Sequence, residues 1–222
     1  MSLPTLLPGA TLGMLGGGQL GRMFTMAARN MGYKVIVLEP DTGSPAGQLA
    51  DKHIIAAYDD ENALLELSKE CDAITTEFEN IPAEVLTKLA ESVPVHPSAS
   101  AVEKAQDRIV EKEFILSCGL LPVPYGVINT NSDIVTAVKD LQFPAILKTA
   151  RFGYDGKGQA RIMAAEDAAQ AYADMAGAPA ILEGFVDFSH EGSVIAARGA
   201  SGEVACFDPG ENVHKGGILR TT

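Results

Sequence analysis

Short apolar runs of strand length alternate with helix-periodic stretches over the first hundred residues. Thr11 to Leu15 is one such run. After Gly16-Gly17-Gly18, the positions Leu20, Met23, Phe24, Ala27, Ala28 and Met31 recur at spacings of three and one, which gathers them on one helical face. Lys34 to Leu38 predicts the next strand, His53 to Ala56 a third and Ala73 to Thr76 a fourth, with helices over Asn62 to Lys69 and Pro82 to Ser92. Strands alternating with helices in this way imply a parallel sheet covered on both faces.

Val95-His96-Pro97-Ser98 interrupts the pattern, and a charged helix follows over about Asp107 to Cys118. Beyond Leu121-Pro122-Val123-Pro124 the chain predicts a helix from about Asp133 to Leu141 and a strand over Ala145 to Thr149. A Gly-rich loop, a helix from about Glu166 to Met175 and the strand Ala180 to Leu182 come next. Ser193 to Arg198 and Val204 to Asp208 then flank Gly199-Ala200-Ser201-Gly202, a hairpin signal. The expected class is α/β, with a parallel βαβ domain over residues 1–103 followed by an α+β domain over 104–222.

Composition narrows the function classes. A chain of 222 residues with 46% apolar content is long enough for two small packed domains or one large one. No apolar run approaches the roughly 20 residues needed to span a bilayer, and Met1 to Ala10 lacks the basic start of a signal peptide, so the expected location is the cytoplasm. With 17 Lys and Arg against 29 Asp and Glu, the net charge of −12 opposes a nucleic-acid backbone. A single nucleotide needs only a few cations and backbone N–H groups, so it stays compatible. Cys71, Cys118 and Cys206 have neither paired nor CxxC spacing and are expected to be small buried apolar residues.

Two Gly-rich loops carry the candidate chemistry. Gly16, Gly18 and Gly21 fit GxGxxG between a strand and a helix, and Glu39 closes the second strand 18 residues after Gly21. That pattern suits a dinucleotide held on a helix N-terminus, and it equally suits a turn that only packs helix on strand. The second loop, Gly153-Tyr154-Asp155-Gly156-Lys157-Gly158-Gln159, follows a strand that carries Lys148. A cation fixed on a sheet beside a closing flap suits a triphosphate, although the loop departs from the GxxxxGK[ST] phosphate loop. A solvated turn with an incidental lysine is the competing reading. Downstream, the apolar strand Ile181-Leu182-Glu183-Gly184-Phe185-Val186 has the form of a linker whose backbone reads an adenine edge, and Glu191 stands eight residues beyond Glu183.

The runs Gly16 to Met23 (GGGQLGRM), Glu77 to Pro82 (EFENIP), Gln106-Asp107-Arg108, Gly153 to Gln159 and Gly216 to Thr221 (GGILRT) together resemble the 5-(carboxyamino)imidazole ribonucleotide synthase family of the ATP-grasp superfamily. The first two runs are the specific ones, and the resemblance covers essentially the whole chain. It implies a pre-ATP-grasp domain followed by an ATP-grasp domain. It also implies an ATP-dependent ligase of purine synthesis that carboxylates aminoimidazole ribonucleotide with bicarbonate. By it, Arg108 and Lys148 contact ATP phosphates, Gly153 to Gln159 form the flap, and Glu183, Gly184, Phe185 and Val186 hold the adenine. Glu191 binds the ribose, and His214 also lies at the ATP site. Gln19, Glu77, Tyr154 and Asp155 touch the ribonucleotide, and catalytic work falls to Tyr154, Asp155 and Lys157. The expected partners are these small molecules and a second copy of the chain in a homodimer, with no nucleic acid and no membrane.

Family members continue past the point reached at Thr222, and the resemblance places the acidic Mg2+ ligands in that later part, with no metal ligand among these residues. Three alternatives stay open. One is another ATP-grasp carboxylate-amine ligase or a formate-dependent purine transformylase. The second is an NAD-dependent oxidoreductase, which lacks a recognisable catalytic His or Tyr/Lys pair. The third is a nucleotide-binding module without turnover.

Overall fold

A computed structural model describes residues 5–153, 158–199, 201–215 and 218–222. The chain divides into two compact units, Pro4–Gln106 and Asp107–Thr222.

In the first unit, the strands β1 (Thr11–Leu15), β2 (Lys34–Leu38), β3 (Lys52–Ile54) and β4 (Ala73–Thr76) form a parallel sheet in the order β3-β2-β1-β4. Register runs from Thr11 beside Lys34 to Leu15 beside Leu38. Alternating side chains leave a strand on opposite faces, so the apolar runs feed two cores. Leu15, Ile36 and Leu38 pack with Leu64 and Leu67 of α2 (Glu61–Glu70) and with Leu86 and Leu89 of α3 (Ala83–Ala90). Met14, Val35 and Val37 pack with Ala28 and Phe24 of α1 (Gln19–Asn30) on the other face. Both faces are therefore covered, as a parallel sheet requires. Asp60 caps α2 by accepting from the Ala63 amide at 2.9 Å, which satisfies one of the free first-turn donors. The third strand ends two residues earlier than its apolar run suggests. A further helix, α4 (Ala99–Gln106), follows Pro97-Ser98, and the Gln106 amide donates to the Glu79 and Ile81 carbonyls.

The second unit opens with α5 (Arg108–Ser117), capped by Asp107, which accepts from the Ile109 amide at 2.9 Å. Its main sheet is antiparallel, with β5 (Tyr125–Ile128), β6 (Ala145–Thr149), β7 (Gln159–Ile162) and β8 (Ala180–Gly184) in the order β5-β8-β6-β7. One face buries Ala145, Leu147, Ala180 and Leu182 against Ile134 and Ala137 of α6 (Ile134–Ala137) and Ala168 and Tyr172 of α7 (Ala168–Asp174). Both helices are shorter than their periodicity predicts: α6 ends at Ala137 and gives way to a turn over residues 138–140, and α7 begins only at Ala168 because Ala165–Asp167 is 3-10. Gly126 is held to glycine by space: a Cβ there would stand 2.6 Å from the Ala137 Cα.

The remaining strands are β9 (Glu191–Ser193), β10 (Ala196–Arg198), β11 (Val204–Cys206), β12 (Gly210–Lys215) and β13 (Ile218–Thr221). β10 and β11 pair antiparallel from Ala196 beside Cys206 to Arg198 beside Val204, which gives the hairpin the sequence predicts. Its first arm is shorter, since Val194 and Ile195 separate β9 from β10, and β9 pairs with β12 instead. The sheet β13-β12-β9 was not foreseen. Cys71 is buried, and burial pushes its thiol up to about 12. Cys118 and Cys206 are exposed, which corrects the expectation that all three cysteines are buried. Among the described residues no helix is long and apolar enough to cross a membrane.

Candidate functional site

Of the two Gly-rich loops, the first has backbone donors met from within the fold. In the first, the Gly17 amide donates to Glu39 Oε2 at 2.8 Å and the Gly18 amide to Glu77 Oε1 at 2.6 Å. The donors that would hold a pyrophosphate thus already hold two carboxylates. Glu39 also accepts from the Asp41 amide at 3.1 Å and from the Tyr58 hydroxyl at 2.5 Å. Burial, then the Glu39 contact, push that hydroxyl well above its ordinary range. A Cβ on Gly17 would stand 2.1 Å from Ser44 Oγ, and one on Gly16 would stand 2.9 Å from Phe78 Cβ. The glycines therefore serve close internal packing, and Glu39, which a dinucleotide reading assigns to a ribose, is spent inside the fold. Gln19 is exposed at the start of α1, and Glu77 is half-buried after β4.

The second loop grows from the β6–β7 hairpin. Lys148 faces Gln159 across the pair, and the Thr149 amide donates to the Gly158 carbonyl at 2.8 Å. Gly158 takes φ +67°, and a Cβ there would meet Thr149 Oγ1 at 2.7 Å, so only glycine fits. Arg108 braces the entry: one guanidinium nitrogen donates to the Thr149 carbonyl at 3.0 Å and another to the Gly153 carbonyl at 2.9 Å. Phe152 adopts φ 61°, a left-handed conformation that costs a non-glycine residue about 1–3 kcal/mol and concentrates at ligand clamps. Tyr154, Asp155, Gly156 and Lys157 lie outside the described residues.

Register places Ile146 and Lys148 of β6 on the same sheet face as Ile181 and Glu183 of β8, opposite the Leu147–Leu182 core face. Glu183 is buried and binds two ammonium groups, Lys148 at 2.5 Å on Oε2 and Lys112 of α5 at 2.8 Å on Oε1. Burial pushes its carboxyl up, but the hydrogen bonds from Lys112 and Lys148 outweigh this and hold it below its ordinary value. The cluster carries one negative and two positive charges, a net cation at the root of the loop. The segment after Glu183 leaves the sheet with the Gly184 and Phe185 amides bonded to the Pro124 and Pro144 carbonyls at 2.9 and 3.2 Å. Phe185 and Val186 are exposed, and the Arg161 guanidinium lies 4.7 Å from the Phe185 ring centroid.

Glu191 and His214 come together on β9 and β12. Glu191 Oε1 accepts from Asn212 Nδ2 at 3.0 Å and lies 3.4 Å from His214 Nδ1. Asn212 in turn accepts from Ser193 and Thr222 hydroxyls at 3.0 Å each. Sequence reasoning missed Lys112 and Asn212. Lys112 sits four residues after Arg108 on one face of a helix, which is the signal that both cations reach the same sheet, Arg108 at the end of β6 and Lys112 at Glu183 of β8. Asn212 had no such signal.

Comparison with known proteins follows the same division. A family described as the ribonucleotide synthetase pre-ATP-grasp domain matches residues 9–106, and the ATP-grasp domain matches residues 113–222. An N5-carboxyaminoimidazole ribonucleotide synthase of Brucella melitensis is 50% identical over all of this chain and 62% of its own length. The structure of N5-carboxyaminoimidazole synthetase from Staphylococcus aureus complexed with ADP superimposes with a TM-score of 0.93 at 38% identity, covering 98% of this chain and 58% of that one. An N5-carboxyaminoimidazole synthase from Aspergillus clavatus in complex with ADP and 5-aminoimidazole ribonucleotide gives 0.84 at 26% identity, covering 96% and 56%. The chain thus spans about three fifths of the length of these relatives.

Proposed function

We propose that this chain, which belongs to the ATP-grasp family and carries a ribonucleotide synthetase pre-ATP-grasp domain ahead of its ATP-grasp domain, is the nucleotide-binding part of an N5-carboxyaminoimidazole ribonucleotide synthase. The observation that carries the reading is the net cationic cluster of Lys112, Glu183 and Lys148 at the root of a Gly-rich hairpin braced by Arg108. ATP fits this chemistry. Lys148, on the strand, supplies a point charge to the phosphates, and Arg108 keeps the loop entry in register with it. Gly153 to Gln159 close over the phosphates, Glu183 to Val186 hold the adenine, Glu191 holds the ribose, and His214 lies at the same nucleotide site. Gln19, Glu77, Tyr154 and Asp155 touch aminoimidazole ribonucleotide, with Tyr154, Asp155 and Lys157 nearest the chemistry.

In the proposed reaction a bicarbonate oxygen attacks the γ-phosphorus of ATP, the bond to the β-phosphate oxygen breaks, and ADP leaves. The resulting carboxyphosphate, or the carbon dioxide it releases, is captured by the exocyclic amine with loss of phosphate and a proton. Positioning and charge neutralisation supply the rate, without a covalent enzyme intermediate. ATP is used with Mg2+ in this reading, and among the described residues no group of three or more His, Cys, Asp and Glu could hold a metal ion. A homodimer, a cytoplasmic location and the absence of nucleic-acid partners belong to the same reading.

Phosphate release by the natural protein is expected to require bicarbonate, to rise with aminoimidazole ribonucleotide and to fail with formate in place of bicarbonate. A coupled phosphate assay reads all three. Turnover with formate, or reduction of NAD by the ribonucleotide, would move the protein to one of the rival classes.

A further inference from the structure

We propose that Lys112 is a positioning residue for nucleotide binding: it holds the Glu183 carboxylate in place when Lys148 leaves that carboxylate for a phosphate. The proposal rests on the nucleotide reading above and adds to it a residue that reading does not require. Each Glu183 oxygen has its own ammonium, Lys112 on Oε1 and Lys148 on Oε2. The two cations are not equivalent. Lys112 stands inside a ten-residue helix with 14% of its side chain exposed, whereas Lys148 stands next to last in β6, beside the loop, with 26% exposed.

The Lys148 ammonium stands 2.5 Å from the carboxylate and has three N–H donors; in this proposal it swings them toward a phosphate, and the carboxylate it leaves is only 8% exposed. A buried carboxylate without a partner is costly and escapes the cost by taking up a proton. Among the described residues Glu183 is in register with Tyr125 on β5 and Ile146 on β6, neither a cation, and Arg161, in register with Ile146 on β7, has its guanidinium 4.7 Å from the Phe185 ring centroid. Lys112, from a separate element, keeps the carboxylate charged and in place throughout, so Lys148 moves without stranding it.

The test is binding of adenylyl imidodiphosphate with Mg2+ to the natural protein, measured calorimetrically in buffers of different ionisation enthalpy between about pH 5.5 and 8. Wild type and Lys112→Arg are expected to bind without net proton uptake. Lys112→Met is expected to bind roughly ten- to a hundred-fold more weakly, to take up close to one proton per nucleotide, and to regain affinity as the pH falls. Should Lys112→Met not fold, Lys112→Gln carries the same expectation. Unchanged affinity, or weaker binding with no proton uptake, would overturn the role of Lys112, since a merely structural lysine moves no proton. Lys148→Met separates the two readings. If it binds as wild type does, the nucleotide site itself is misplaced; if it alone weakens binding, Lys112 is the error.

Discussion

Glu183→Leu is expected to destabilise the second unit by about 3–5 kcal/mol, because it leaves two ammonium groups without the one counter-ion they share among the described residues. Both are largely shielded from water, at 14% and 26% exposure. The cost lies in the orphaned charges and not in the lost attraction, so the triple replacement Lys112→Met, Glu183→Leu, Lys148→Met is expected to recover most of it. Urea unfolding of the three proteins near neutral pH checks this. The Glu183 carboxyl is held below its ordinary value of 4.5, so the stability it contributes is fully present above that pH. That stability is lost as the pH falls through the lower folded value. The gap between wild type and Glu183→Leu should therefore close in acid. A gap that stays constant into acid would mean that ionised Glu183 is not the source.

Lys148→Ala is expected to raise the dissociation constant for ATP strongly while leaving the fold intact, since Lys112 remains on Glu183. Each charge-assisted hydrogen bond to a phosphate is worth about 1.5–3 kcal/mol, or roughly ten- to a hundred-and-fifty-fold in affinity. Equilibrium titration with ATP, alongside thermal unfolding to confirm the fold, reads the two effects separately. An unchanged affinity would remove Lys148 from the site.

What the sequence made legible follows from where each element finds its stabilisation. β1, β2 and β6 coincide with their apolar runs residue for residue, because Leu15, Val37 and Leu147 are buried by the strands' own local composition. α4 escaped notice because only Val102 and Gln106 of its eight residues are buried, which leaves no stripe to detect. β12 has a single aliphatic residue, Val213, among its six, and owes its strand state to pairing with β9 and β13.

The candidate site divides in the same way. Lys148 and Glu183 were visible as polar residues ending apolar strands, where alternation makes a charge conspicuous. Lys112 was hidden in a helix already rich in charge. The fingerprint glycines left a dinucleotide site and plain helix-on-strand packing equally open, and the structure favours packing. They signal close backbone approach, and in this fold what approaches is Glu39, Glu77 and Ser44 rather than a dinucleotide.

The central claim is that bicarbonate attacks ATP, and the most direct measurement follows the bicarbonate oxygen. The natural protein is incubated with 18O-labelled bicarbonate, ATP and aminoimidazole ribonucleotide, and the inorganic phosphate is read by mass spectrometry before exchange with water. The account predicts one labelled oxygen in each phosphate formed, because the attacking oxygen stays on phosphorus when the carboxyl group is transferred. Phosphate carrying only solvent oxygen would show that water is the nucleophile and would contradict the account.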